Sequence, residues 1–162
     1  FFFKFIDEIK EFSNLEVILV GEGAEKENVL SNLKQFSFVK HYNLVSFEQL
    51  PLLLSSADLH ILFQKTDVID TVMPSKLLGM MASGKPSIVT GSMKSEVATV
   101  LQDSNGGYYL DGSSTKEITK QIDKLIKDKK LREELGLNAK SYVKNRFSKN
   151  EVLNEFLTEL IK

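Results

Sequence analysis

Met73-Pro74-Ser75-Lys76-Leu77 sets a proline and a short polar pair directly ahead of an apolar helical stripe through Leu78, Met80, Met81 and Ala82. Proline suits the first helical position, because the N–H it lacks is one that a helix leaves unpaired. The amides of Ser75, Lys76 and Leu77 then stand free at a helix N-terminus, where the helix dipole and the Lys76 ammonium favour an anion. A diphosphate matches that chemistry. An ordinary proline-started helix with a surface lysine matches the same residues, and local pattern alone leaves both readings open. A second candidate is Gly21-Glu22-Gly23, between an apolar run and a helical one, the setting of a backbone-lined anion turn. Lys26 occupies the place of the third glycine of a dinucleotide fingerprint, and no Gly-Lys-Ser/Thr follows, so neither that fingerprint nor a P-loop is complete. A tight strand-to-helix turn is the equal alternative.

Other reactive types are scarce. There is no cysteine, which excludes disulfides, thiolate metal sites and a thiol nucleophile. His41 and His60 fall in predicted strands without a carboxylate or second histidine at ligand spacing, and both read as core or strand-end residues. Asp67 and Asp70 share a loop, but no Asp-X-Asp occurs and no metal is expected. Met80 and Met81 read as core.

These residues need a scaffold. The chain has 162 residues, about one domain's worth, with 42% hydrophobic residues to build a core. A net charge of −1 and a pI near 6.2 argue against a nucleic-acid binder. No run of ~18 apolar residues spans a membrane, and Phe1 to Ile6 is too short for a signal peptide. With no initiating methionine, the chain reads as a piece of something longer. Residues 116–149 hold eleven Lys/Arg against five Asp/Glu. That excess reads as a solvated helix surface, with contact to anionic lipid as the lesser alternative.

Periodicity supplies the elements. Phe5, Ile6, Ile9 and Phe12 recur at helical spacing, so residues 1–13 read as a first helix whose preceding strand is missing. Apolar runs at 16–20, 38–42, 58–63, 86–90 and 108–110 read as strands. Helices are expected through Val29, Leu30 and Leu33, over 47–57, from Pro74 to Gly84, and from Ser114 onward. Strands apolar throughout, alternating with helices, predict a doubly wound parallel α/β sheet of Rossmann-like type.

In this order the motifs resemble a known family. Leu19-Val20-Gly21-Glu22-Gly23 is similar to its strand–Gly-X-Gly turn, and Leu50 to Asp58 to its helix ending in Ala-Asp. Met80-Met81-Ala82-Ser83-Gly84-Lys85-Pro86 is similar to its Met-Ala-X-Gly-X-Pro signature. Gly106-Gly107 and the stretch from Leu131 to Phe147-Ser148 match its late Gly-Gly turn and helical ending. The chain thus resembles the C-terminal, donor-binding half of a two-domain GT-B glycosyltransferase of the group 1 (family 4) type, similar to bacterial capsule and colanic-acid enzymes.

The resemblance implies a donor-binding domain over residues 1–148 and, over 149–162, a C-terminal helix that crosses to an absent N-terminal domain, or is displaced, folded back or packed on a second copy. It implies that Ser75, Lys76 and Leu77 cradle a donor diphosphate and that Tyr42, Asn43, Leu44 and Val45 lie by the nucleobase. Gly21 and Gly23 let the cleft wall approach. Two family glutamates fall at Thr71 and Gly79, so both carboxylates are missing, including the one that holds the ribose; Asp70, beside Thr71, is the nearest substitute. The implied reaction is retaining transfer of a sugar, UDP-linked by expectation, to a glycan or lipid-linked acceptor in cell-surface polysaccharide synthesis. It needs no cofactor and no metal. The implied setting is the cytoplasm, with peripheral contact at the inner membrane face, and the isolated fragment is expected to be inactive. A nucleotide-sugar 2-epimerase half and a non-catalytic nucleotide-binding α/β module remain the rival readings.

Overall fold

The computed structural model describes residues 1–64 and 74–160. The chain opens on helix α1 (Phe2–Ile9), which turns Phe5, Ile6 and Ile9 into the core. Its helical stretch is shorter than the periodicity predicts, and Asn14 adopts a left-handed conformation (φ 62°) on the way to the first strand. Strand β1 (Val17–Val20), helix α2 (Lys26–Leu33) and strand β2 (Val39–Tyr42) form one parallel unit, with Val17 opposite Val39 and Val20 opposite Tyr42. Helix α3 (Leu50–Ser56) leads to β3 (His60–Phe63). Then follow α4 (Ser75–Ala82), β4 (Ser87–Thr90), α5 (Glu96–Ser104) and β5 (Gly107–Leu110). Helices α6 (Thr115–Lys127), α7 (Lys129–Arg146) and α8 (Lys149–Leu160) end the chain.

Every described strand pair is parallel, as expected, but the strands form two sheets, β1-β2 and β3-β4-β5. The two share a core. Val17, Leu19 and Val39 of the first, and Ile61, Phe63, Tyr108 and Leu110 of the second, pack against one cluster built on Phe5, Ile6, Ile9, Ile118, Ile122 and Leu125. In the doubly wound order 3-2-1-4-5-6 the opening strand lies in the middle. Among the described residues no strand occupies that place, and β1 and β3 do not pair.

β4 behaves as a strand covered on both faces. Ile88 points into the cluster beneath α1 and α6, and Val89 into a second one formed by Leu77, Met81, Val97, Val100, Leu101 and Ala139. Alternation along the strand divides them. The helices therefore cover opposite faces, α1, α2 and α6 on one and α4 and α5 on the other, while α7 reaches both, with Leu135 in the first cluster and Ala139 in the second. Helix α5 is not predicted by the reading above, although Ser95 caps it by accepting a hydrogen bond from the Val97 amide (3.1 Å). Helix α3 begins three residues later than predicted, after the turn 47–49.

The late glycines are close-approach sites. A Cβ on Gly136 would lie 2.1 Å from the Gly84 carbonyl oxygen, so α7 meets the turn between α4 and β4 backbone to backbone. Gly84 has φ +76° and ends α4 in the left-handed region, as its position predicts. At the far end α8 forms as predicted from Lys149, and leaves Val152, Leu153, Phe156 and Leu157 exposed. Among the described residues no helix is long and apolar enough to cross a membrane.

Candidate functional site

Parallel strands bring their carboxyl ends to one side of the sheet, where doubly wound domains bind ligands. At that side lie Gly21 after β1, the Tyr42–Val45 loop after β2, Gln64 after β3 and the Gly91–Ser95 loop after β4. Helix α4 lies between the parallel strands β3 and β4 in the chain and runs back against them, so its first turn starts at that side.

That first turn differs from expectation in two ways. Pro74 is the N-cap, with ψ 120°, and the helix begins at Ser75. The restriction of proline's φ serves either position. In addition, the Leu77 amide donates to the Pro74 carbonyl (2.9 Å) and its side chain is fully buried. Leu77 is thus an anchor rather than a free donor, a correction to the three-amide cradle. Ser75 and Lys76 remain exposed, with no side-chain cap bond, and the Lys76 ammonium has no partner among the described residues. Two free amides, a hydroxyl and an ammonium at a helix N-terminus make an anion-attracting surface.

The second patch joins two loops. The Gly21 amide donates to the Tyr42 carbonyl (3.3 Å), and His41 Nε2 lies 3.1 Å from the Gly21 carbonyl oxygen. Lys26 Nζ contacts both Glu22 carboxylate oxygens (2.7 and 2.9 Å) and donates to Asn43 Oδ1 (3.3 Å). Gly21 takes φ +140°, which a side chain rarely adopts, so this turn does require glycine. Gly23 has open space around it and no such requirement. Around Asn43 the chain presents apolar surface, with Tyr42 53%, Leu44 68% and Phe47 84% exposed and Val45 half-buried. Ser46 and the backbone of Glu48 hydrogen-bond the Glu48 carboxyl and hold it below its ordinary pKa, which ties the loop to the start of α3.

Gly79 stands one turn inside α4, on the side of Ser75, and faces α3. A Cβ there would meet Leu54 Cδ1 at 3.4 Å, ordinary contact distance. Asp67, Asp70 and Thr71 lie outside the described residues. No hydrogen bond or ion pair joins the first turn of α4 to the Gly21 and Tyr42 loops among the described residues. Any ligand touching both patches must span them itself.

His60 is structural, as its strand position predicts. It sits at the amino end of β3, away from the candidate cleft, with Nε2 3.1 Å from Ser83 Oγ. Burial chiefly holds its pKa below the ordinary histidine value, and the nearby Lys85 charge pushes the same way. Two features of the cleft side escape the sequence reading: the Gly91–Ser95 loop that precedes α5, and the role of Lys26, noted there only as the residue that breaks a glycine pattern. Ser95 ahead of Glu96 and the spacing of Val97, Val100 and Leu101 carried the signal for the first. A tertiary contact carries the second.

Comparison with known proteins adds the following. Residues 2–142 match the family Glycosyl transferases group 1. The chain is 24% identical over 145 residues to WcaI of Escherichia coli strain K12, a glycosyl transferase whose name places it in colanic acid biosynthesis; the match covers 88% of this chain and 35% of that protein. The chain therefore spans about a third of the length of that relative. Among solved structures it is similar to Anabaena HepE in complex with UDP (TM-score 0.79, 16% identity, 96% of this chain and 43% of that one). It is also similar to the C-terminal domain of LpcC, a group 1 family glycosyl transferase from Francisella tularensis (TM-score 0.72, 18% identity, 91% and 78%). At these identities the structural likenesses establish the fold, a Rossmann-like domain of the GT-B architecture.

Proposed function

The chain belongs to the group 1 glycosyl transferases, and on that premise we propose that it is the donor-binding half of an enzyme that transfers a sugar from a nucleoside diphosphate. The observation that carries this reading is the exposed first turn of α4, where Ser75 and Lys76 offer amides, hydroxyl and ammonium at the carboxyl side of a parallel sheet. Those groups hold the diphosphate and stabilise the charge that grows on it as the glycosyl bond breaks. Positive charge and helix amides supply this stabilisation without a metal ion. The Tyr42–Val45 loop takes the nucleobase against its exposed apolar side chains. UDP is the proposed nucleotide, in keeping with HepE, which was solved with UDP.

Gly79 and Thr71 replace the carboxylates that the family resemblance leads one to expect, so the diphosphate and base carry the affinity and the ribose contributes less. We read the transfer as retaining and the acceptor as a glycan or lipid-linked glycan met on a second domain. In the same reading the unpaired edges of β1 and β3 are closed by a further parallel strand, and the apolar side of α8 packs on that second domain. The Tyr42 and Lys76 patches are separate among the described residues, and closing them on one ligand is the task of the completed cleft. The reaction is placed in the cytoplasm, at or near the membrane face.

An NMR titration of the chain with UDP, with GDP and NAD as controls, tests the reading. Amide shifts centred on Ser75 and Lys76 and on Tyr42 to Val45 are expected, and Lys76→Ala should weaken binding about tenfold, the loss of one charge-assisted contact. Shifts elsewhere, or equal binding by the variant, refute the assignment of the diphosphate to α4.

A further inference from the structure

Lys26 is a cation at the first position of α2, the wrong end of a helix dipole for positive charge. It is also unusually covered. Its side chain is 28% exposed, whereas the lysines of the other described ion pairs range from 46% to 78%. Those other pairs each lie within one helix or, for Lys10 and Asp7, at its C-terminal end. Lys26 instead reaches back to Glu22 in the turn after β1 and across to Asn43 in the loop after β2. Neither contact supports α2 itself. Both tie together the two loops that end β1 and β2, beside the Gly21 amide–Tyr42 carbonyl bond and the His41–Gly21 contact.

We propose that Glu22, Lys26 and Asn43 form a clasp that positions the Tyr42–Val45 loop for the nucleobase, with Lys26 as the positioning residue. The inference rests on the donor-site reading above. Glu22 fixes the Lys26 ammonium, and the ammonium fixes the Asn43 side-chain oxygen, so the residues either side of Asn43 are held although they are exposed. Tyr42 and Leu44 thereby present their side chains to solvent in one arrangement, and the cost of ordering them is met before the base arrives. Lys26 touches no ligand in this scheme. Its charge is spent on Glu22, and the diphosphate is left to Lys76.

The clasp predicts a selective effect. In the complete chain, Lys26→Met should weaken UDP binding about fivefold, the scale of one partly covered ion pair and its hydrogen bond. Binding of inorganic pyrophosphate, which has no base, should stay within about twofold of the unsubstituted chain. Lys26→Arg should restore most of the UDP affinity. Asn43→Ala, an exposed substitution that leaves the fold intact, should give a similar loss, and the double variant should lose about the same fivefold rather than the product of the two. Equal weakening of UDP and pyrophosphate would overturn the clasp, because Lys26 would then act on the phosphates directly. Additive losses in the double variant would overturn it as well, as would unchanged UDP affinity in Lys26→Met. If the unsubstituted chain binds pyrophosphate at Ser75 and Lys76 but shows no preference for UDP, the base subsite and the clasp both fail while the diphosphate assignment stands. If it binds neither, the donor-site reading fails first and the clasp with it.

Discussion

Helix α7 meets the turn after α4 backbone to backbone, and the same substitution at two glycines tests that approach with opposite expected signs. Gly136 lies within α7 and Gly79 within α4, so alanine at either gains about 0.8–1.0 kcal/mol of helix propensity. The packing term separates them. At Gly79 the new methyl meets the end of the Leu54 side chain at 3.4 Å, an ordinary contact, and the propensity gain survives. At Gly136 it would lie 2.1 Å from the Gly84 oxygen and 2.8 Å from the Gly84 carbonyl carbon. Relief requires α7 and the turn after α4 to part by about 1 Å, since carbon atoms pack best at about 3.5–4.0 Å. The obstacle is backbone, with no side-chain rotamer to absorb it, so the overpacking cost belongs near the top of its range, about 3 kcal/mol. Subtracting the propensity gain leaves a net loss of about 2 kcal/mol. For a domain of this size, where 1 kcal/mol shifts Tm by about 2–4 °C, Gly136→Ala should lower Tm by about 4–8 °C and Gly79→Ala raise it by about 2–4 °C. Differential scanning calorimetry on the two variants reads both. A Gly136→Ala variant as stable as the unsubstituted chain would refute the close approach of α7 to Gly84.

Two further outcomes are expected. His60 is held neutral by burial, so its folded pKa lies below its unfolded value near 6.5; the unfolded chain then binds the extra proton, and the His60 contribution is present above that value and lost as pH falls below it. Thermal melts between pH 7.5 and 5.5 should show a steeper fall for the unsubstituted chain than for His60→Gln, and parallel profiles would contradict this. Gly79→Glu should strengthen UDP binding about tenfold, the scale of one charge-assisted hydrogen bond, with no gain for a 2′,3′-dideoxy analogue; an equal gain for both would show that residue 79 does not face the ribose.

Much of this molecule is written locally. Helical spacing at Phe5, Ile6 and Ile9, the apolar run at Ile88 and Val89, and the turn glycines at 21 and 84 each reflect neighbours in the chain, so strand–helix alternation and the parallel fold class follow from the sequence alone. The candidate diphosphate turn was legible for the same reason, because proline, serine and lysine ahead of an apolar stripe define a helix start without any long-range partner. Helix α5 carried a local signal too, in the Ser95 cap and the spacing of Val97, Val100 and Leu101.

What tertiary structure decided has a common cause: it depends on residues remote in sequence coming within a few ångströms. Lys26 looks like a defect in a glycine pattern until Asn43 lies 3.3 Å from its ammonium. Gly136 looks like a weak point in a helix until the Gly84 carbonyl fills the space that a side chain would need. The division of the strands into two sheets around one shared core depends on which strand edges meet, and periodicity within a strand carries no record of its neighbour. Side-chain pattern determines what each element is, whereas contacts between elements determine which of its groups remain free for a ligand. Leu77 shows both at once, a predicted helical residue whose amide is engaged by Pro74 and whose side chain anchors the helix that presents Ser75 and Lys76.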